Sequence, residues 1–244
     1  MNIYQSIQTN VRRQKKMLIV LLDPDKFTGE VRTKVLEEFS AFIPDFIFIG
    51  GSKTTNSVSE LLTSLRHINV PKVLFPGDAS QFTSEADALL FLSLISGRNA
   101  DYIIGQHVTS AKRIKESGIE VIPTAYILID GGKETAVKKV SKTMPIAADD
   151  IETGVATAVA GELLGLKLTY LEAGSGANQP VVAEMIAAVK KAISHPLIVG
   201  GGIKSTAQLQ QAYDAGADLV VVGNLFETHP EKISKFISYV NRDK

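Results

Sequence analysis

Cysteine is absent from the 244-residue sequence, which excludes disulfides and thiolate metal sites. A metal would have to be held by oxygen or by the four histidines. A charge excess is absent too: 26 basic residues balance 26 acidic ones, whereas a nucleic-acid binder carries a strong basic surplus. No apolar run approaches the roughly 18 residues of a membrane span. The stretch VRRQKKMLIVLLDPDK sets a basic segment before an apolar one, in the manner of a secretory leader, but Asp23 ends the apolar part after Leu22. A leader needs roughly 7–15 apolar residues and a small-residue cleavage site. The run therefore reads as a buried strand, and the chain as a cytoplasmic, soluble protein.

What is present is a regular series of short apolar, β-branched runs: MLIVLLD, DFIFIGG, KVLFPGD, DYIIGQ, IEVIPTAYILID, LTYLEAG, PLIVGGG and ADLVVVGN. Runs of this length, bounded by Gly, Pro or Asp, suit strands buried on both faces. Amphipathic segments lie between most of them, such as SVSELLTSLRHI, PVVAEMIAAVKKAI and TAQLQQAYDAG, the last with Gly216 as a helix C′ residue. PEKISKFISYV ends the series with Pro230 in a first helical turn. Strands alternating with helices over this length predict a single α/β domain, residues 1–244, folded as a modified (β/α)8 TIM barrel. An open doubly wound sheet is the rival. Two stretches are irregular. HVTSAKRIKESG is short and polar for a covering helix, and GGKETAVKKVSKTMPIAADD is a long connection that reads as surface loop before a helix starting near Asp149. Residues 87–97, within ADALLFLSLISG, read as a helix apolar nearly all round, either an inner helix, an oligomer contact or the lining of a groove for a greasy chain.

A barrel of this kind carries its chemistry at the C-terminal strand ends. Those ends supply Asp23, Asp25 and Lys26; Gly50, Gly51 and Ser52; Asp78; Gln106 and His107; Asp130; Tyr170, Glu172, Gly174, Ser175 and Gly176; Gly200, Gly201 and Gly202; and Gly223 with Asn224. Glycine turns after the seventh and eighth runs let backbone N–H groups approach an anion, and this is where such barrels bind phosphate. Gly174-Ser175-Gly176 can add donors from the neighbouring end. Tyr170 and Glu172 stand two apart on one strand face, both toward the barrel mouth. Glu172 there can accept a hydroxyl proton, unless it is a solvated rim residue. Across the mouth, DPDK and GGS offer hard oxygen ligands suited to Mg²⁺, although Asp-Pro also simply opens turns. The histidines carry little signal; His107 alone lies near a rim.

The ordered set LLDPDK, FIFIGGS, LFPGDASQFT, FLSLISGRNADYIIGQH, VIPTAYILIDGG, YLEAGSGA, VGGGIKS and VVVGN resembles the geranylgeranylglyceryl phosphate synthase family, which includes the bacterial PcrB-type heptaprenylglyceryl phosphate synthases. The similarity runs from about residue 15 to 226 and is closer to the second, archaeal and Bacteroidetes-like group. It implies a prenyltransferase that joins a prenyl diphosphate, geranylgeranyl diphosphate in the first instance, to the 3-hydroxyl of sn-glycerol 1-phosphate, releasing diphosphate. It implies Mg²⁺ at Asp23 and Ser52. Glycerol phosphate would lie on Tyr170, Leu171, Glu172, Ala173, Gly174, Ser175, Gly176, Gly201, Gly202, Gly223 and Asn224, with Glu172 and Tyr170 catalytic. A homo-oligomer and a peripheral membrane contact for product release belong to the same expectation. Two departures stand out. The PcrB branch has a lysine where this chain has Leu21, which leaves Lys26 or backbone amides to compensate. Tryptophan is absent, so a large aromatic that limits prenyl length in some relatives is not assignable. The alternatives are a phosphosugar isomerase or cyclase of the histidine-biosynthesis type, using Asp23 and Asp130, and a non-catalytic phosphate- or lipid-binding barrel.

Overall fold

The computed structural model describes residues 2–242. Eight parallel strands close into a barrel in sequence order: β1 (Met17–Leu22), β2 (Phe46–Ile49), β3 (Lys72–Leu74), β4 (Ala88–Leu94), β5 (Glu120–Leu128), β6 (Leu168–Glu172), β7 (Leu197–Gly200) and β8 (Leu219–Val222). Around them run α1 (Ile3–Arg12), α2 (Gly29–Ala41), α3 (Val58–Ser64), α4 (Gln106–Ser117), α5 (Ala136–Ser141), α6 (Ile151–Leu163), α7 (Ala183–Ala192), α8 (Thr206–Asp214), α9 (Asn224–Thr228) and α10 (Ile233–Asn241). Among the described residues no helix is long and apolar enough to cross a membrane.

The continuous apolar strands are explained by two cores. Alternate residues of a strand face opposite sides. Met17, Ile19, Phe48, Leu90, Ile198 and Leu219 fill the barrel, whereas Leu18, Val20, Ile47, Leu89, Val199 and Val220 meet the surrounding helices. Helix α1 closes the bottom of the barrel. Its Ile7 is 1% exposed and packs on the inner cluster, and Glu120 at the start of β5 accepts Ile3 N–H at 2.6 Å and Tyr4 N–H at 2.9 Å.

The fourth strand is not where the sequence reading puts it. The apolar segment within residues 87–97 is strand β4, not a helix, and pairs with β5 over seven residues, Ala88↔Glu120 to Leu94↔Tyr126. DYIIGQ is no strand. Asp101–Gly105 forms a π-helical turn that leads into α4, so Gln106 and His107 open a helix rather than end a strand. A short run that is apolar at every position fits a doubly buried strand as well as a buried helix, and periodicity does not separate them. The polar segment after it is α4 itself. The long connection after β5 contains α5 and an isolated bridge, Ile129↔Ile146, before Asp150 caps α6 by accepting Thr153 N–H.

This placement has a consequence for the top of the barrel. β3 pairs with β4 at only two positions, Val73↔Ala88 and Leu74↔Leu89, and the connection between them holds just a 3-10 turn, Ala79–Gln81. The upper part of β4 therefore has a neighbour on one side only, and α4 roofs the resulting split, anchored by Arg113 donating to Ala79 O (2.6 Å) and by Gln106 accepting Ala79 N–H (2.9 Å).

The α1 plug yields a stability test. Glu120→Ala strips two N-terminal helix N–H groups of a charged acceptor, and the unfolding free energy in urea should fall by about 1–3 kcal/mol. A change below about 0.5 kcal/mol, ordinary for a surface site, would show that α1 is held by its apolar face alone.

Candidate active site

The C-terminal strand ends surround a cleft of about 700 Å³. Its floor is aromatic. Phe75, just beyond β3, stacks on Tyr170 of β6 (centroids 5.4 Å apart), and Tyr126 of β5 meets Tyr170 edge-on at 5.3 Å. Parallel pairing places Tyr126 beside Tyr170 and Leu128 beside Glu172. Tyr170 is fully buried, its ring lying where a side chain on Gly200 would be, with that Cβ only 2.3 Å from Tyr170 Oη.

Glu172 is no solvated rim residue. It is 5% exposed. Burial pushes its carboxyl up to about 7, against the opposing pull of Gly174 N–H and of the Tyr170 and Tyr126 hydroxyls that face it. Its Oε1 accepts Gly174 N–H at 2.7 Å; Tyr170 Oη, though turned to the same carboxylate, lacks a partner in hydrogen-bond geometry. A carboxyl poised near neutrality in a cleft has the properties of a general base.

Three strand ends converge beside it. The loop after β7 crosses the loop after β6 so closely that a Cβ on Gly201 (φ +81°) would lie 2.5 Å from Glu172 Oε1 and 2.6 Å from Gly174 N. Only glycine fits that crossing, for backbone conformation and for space. Ser175 Oγ donates to Asn224 Oδ1, which ties the β6 loop to the start of α9. Ser175, Gly176, Gly201, Gly202, Gly223 and Asn224 all line the cleft. Leu171 and Ala173, grouped with them on resemblance, instead turn their side chains into the helix-facing core and offer the cleft no more than backbone. Gly174 contributes through its bond to Glu172.

Asp23 and Ser52 line the opposite wall. Asp23 Oδ1 accepts Asp25 N–H at 3.0 Å and Oδ2 lies 3.9 Å from Lys26 Nζ. Burial raises its carboxyl above the usual range, with the Asp25 N–H and Lys26 pulling the other way. A Cβ on Gly51 would come within 2.9 Å of Oδ2, so glycine at the end of β2 leaves the carboxylate room. Asp25 lines the cleft too, and its carboxylate staples the loop after β2, accepting Thr55 N–H at 2.9 Å and Asn56 N–H at 2.7 Å. Among the described residues no three His, Asp or Glu side chains group as a metal cage. One carboxylate and a hydroxyl on an open wall fit Mg²⁺, which takes few protein ligands and fills its sphere with water and substrate phosphate oxygens.

An apolar groove of about 100 Å³ leaves the cleft through the β3–β4 split, beneath α4. The two cavities share Gly51, Ser52, Phe75, Tyr126, Val137 and Val140, and Leu90 and Leu92 of β4 form the wall beyond. The segment read as a helix thus lines the groove, as a strand. His107 belongs to this groove and not to a catalytic rim. It is buried and meets Phe91 edge-on at 4.3 Å, with Nε2 3.1 Å from Ser93 Oγ, and burial lowers its pKa. Asp78 caps the 3-10 turn through Ser80 N–H. Asp130 is exposed, accepts Gly132 N–H at 2.9 Å and does not line the cleft, so the acid pair of the isomerase alternative is not assembled.

The sequence reading missed several residues of the cleft: Tyr126, Lys53, Lys204, Lys232 and Glu227. Lys53 and Lys204 directly follow the GGS and GGI turns, a signal open to reading. Glu227 and Lys232 lie past the last strand, where no motif marks them.

A sequence profile of the PcrB family matches residues 9–240. The geranylgeranylglyceryl phosphate synthase of Zunongwangia profunda is 50% identical over 215 residues, covering 87% of this chain and 92% of that one, and that of Pyrococcus furiosus is 40% identical over 218 residues, covering 88% and 86%. The crystal structure of the (S)-3-O-geranylgeranylglyceryl phosphate synthase of Thermoplasma acidophilum in complex with its substrate sn-glycerol-1-phosphate superposes with a TM-score of 0.91 at 29% identity, covering 98% of both chains. With a family match over nearly its whole length, this chain belongs to the PcrB family.

Proposed function

We propose that the cleft transfers a prenyl group, geranylgeranyl in the first instance, from its diphosphate to the 3-hydroxyl of sn-glycerol 1-phosphate. The observation that carries this reading is the meeting of an apolar groove and a glycine-built cradle at one buried carboxylate, Glu172. Relatives bearing the synthase name, and one solved with sn-glycerol-1-phosphate, support it.

Each wall has a task in that reaction. Backbone N–H groups of the β6, β7 and β8 loops, with Ser175 and Asn224, receive the phosphate, the geometry in which exposed amides neutralise an anion. The glycerol 3-hydroxyl then points toward Glu172, which takes its proton as the oxygen forms a bond to the first prenyl carbon and the bond from that carbon to diphosphate breaks. Tyr170, Tyr126 and Phe75 present π systems around the junction where allylic cation character develops. The tail lies in the groove under α4. Asp23 and Ser52 would hold Mg²⁺, which when bound supplies positive charge to the departing diphosphate. Holding both reactants in one cleft replaces a bimolecular encounter by an oriented one.

Incubation with sn-glycerol 1-phosphate, Mg²⁺ and prenyl diphosphates of graded length should give an extractable ether lipid and an equal amount of diphosphate. No product at any length would contradict the reading. Since Glu172 acts as a base only when ionised, kcat/KM should rise with pH through about 7.

Glu172→Gln separates base from scaffold. It should lower kcat by about 10²-fold or more while leaving the affinity for glycerol phosphate near wild type. It should also stabilise the protein at high pH. In the folded chain Glu172 keeps its proton up to about 7, against a reference value of 4.5. The folded state therefore binds more protons between those values, and stability falls as pH rises through that window. The glutamine variant, which still accepts Gly174 N–H, should exceed wild type by up to about 3 kcal/mol at pH 8 and by little at pH 4.5, as read by denaturant unfolding. Equal stability at both pH values would refute the buried-base assignment.

A further inference from the structure

The turn after β1 carries a competing cation next to the proposed metal ligand. Lys26 Nζ lies 2.9 Å from Glu227 Oε2 and 3.9 Å from Asp23 Oδ2. Its backbone is fixed, since Lys26 N–H and Phe27 N–H both bond to Asp23 O, at 3.0 and 2.8 Å. Its side chain is 44% exposed, whereas those of Asp23 and Glu227 are 17% and 14% exposed. One flexible ammonium therefore stands between two largely buried carboxylates. Glu227 is anchored from behind: Phe226 is 1% exposed and packs edge-on against Phe236 of α10 at 5.3 Å. The other acid of the turn, Asp25, is committed to Thr55 and Asn56.

We propose that Glu227 sets the cation affinity of Asp23 by holding the Lys26 ammonium off it. The proposal rests on the assignment of Asp23 as a metal ligand and goes beyond it by giving the Lys26–Glu227 pair a positioning role. An ammonium and a divalent cation compete for the same carboxylate oxygen. At 3.9 Å from Oδ2 the ammonium is not in direct hydrogen-bond contact with it, and the shorter bond to Glu227 keeps it there. With the charge of Glu227 removed, Asp23 is the nearest anion left to Lys26, and a contact near 2.8 Å deepens the attraction as the inverse of distance. A metal ion must then displace the lysine. With Lys26 removed, Asp23 loses its competitor.

The two partners of this ion pair are thus expected to shift metal binding in opposite directions, which a purely structural salt bridge does not do. The readout is binding of Mn²⁺, as probe ion, to the substrate-free enzyme, followed by the electron paramagnetic resonance signal of the free ion. Lys26→Met should bind Mn²⁺ at least about threefold more tightly than wild type, and Glu227→Gln at least about threefold more weakly. The double variant should return toward Lys26→Met, because Glu227 acts through the lysine. Lys26→Met at or below wild-type affinity, or an equal loss in both single variants, overturns the proposal. Asp23→Asn distinguishes its foundation: unchanged Mn²⁺ binding there refutes the metal assignment itself, whereas weakened binding there with Lys26→Met and Glu227→Gln both at wild-type affinity refutes only the positioning role.

Discussion

The hydrogen bond from Gly174 N–H to Glu172 Oε1, with the Gly201 backbone pressed against both atoms, holds the site together. It folds the β6 loop back over its own strand, fixes the carboxylate that ends the strand, and brings the β7 loop into contact where no side chain intervenes. The proposed base and the proposed anion cradle are consequently one construction. A carboxylate buried this deeply is held near neutrality by lack of solvent, and the same contact denies it solvent.

The remainder of the architecture opens an apolar groove onto this carboxylate. A (β/α)8 barrel is ordinarily sealed by a helix between successive strands. Here the β3–β4 connection is a 3-10 turn, and β3 ends after Leu74 while β4 continues to Leu94. The split so created leads from the aromatic floor outward under α4. The glycine turns and Glu172 thereby lie on the β6–β8 side of the mouth and the apolar groove on the β3–β5 side, with Asp23 and Ser52 on the wall opposite the glycine turns. The Lys26–Glu227 pair joins the β1 turn to α9, so the wall proposed to hold the metal and the end of the proposed phosphate cradle share one electrostatic link.

Much of this was legible in the sequence. Short apolar runs ending in Gly or Asp gave the barrel and its chemical face, because a strand buried on both sides must be apolar throughout and its loop must then turn sharply. Glu172 was legible as an inward group from its two-residue spacing to Tyr170, and the glycines from their place after the last strands. The fourth strand was misassigned because ADALLFLSLISG has no period to distinguish helix from strand, while DYIIGQ mimics a strand over too short a window. The second acid of that turn, Asp25, has a role the sequence does not show: its oxygens accept two backbone N–H groups thirty residues on. Glu227 and Lys232 were invisible for a related reason: they reach the cleft from the helical turns after β8, through tertiary packing.

The claim that the cradle presents a glycerol hydroxyl to Glu172 is tested most directly by a crystal structure with sn-glycerol 1-phosphate bound. The account predicts the phosphate on the backbone amides around Gly176, Gly202 and Asn224, and the 3-hydroxyl roughly 2.6–3.2 Å from a Glu172 carboxylate oxygen. Phosphate bound elsewhere, or a hydroxyl directed away from Glu172 in a fully occupied site, would contradict it.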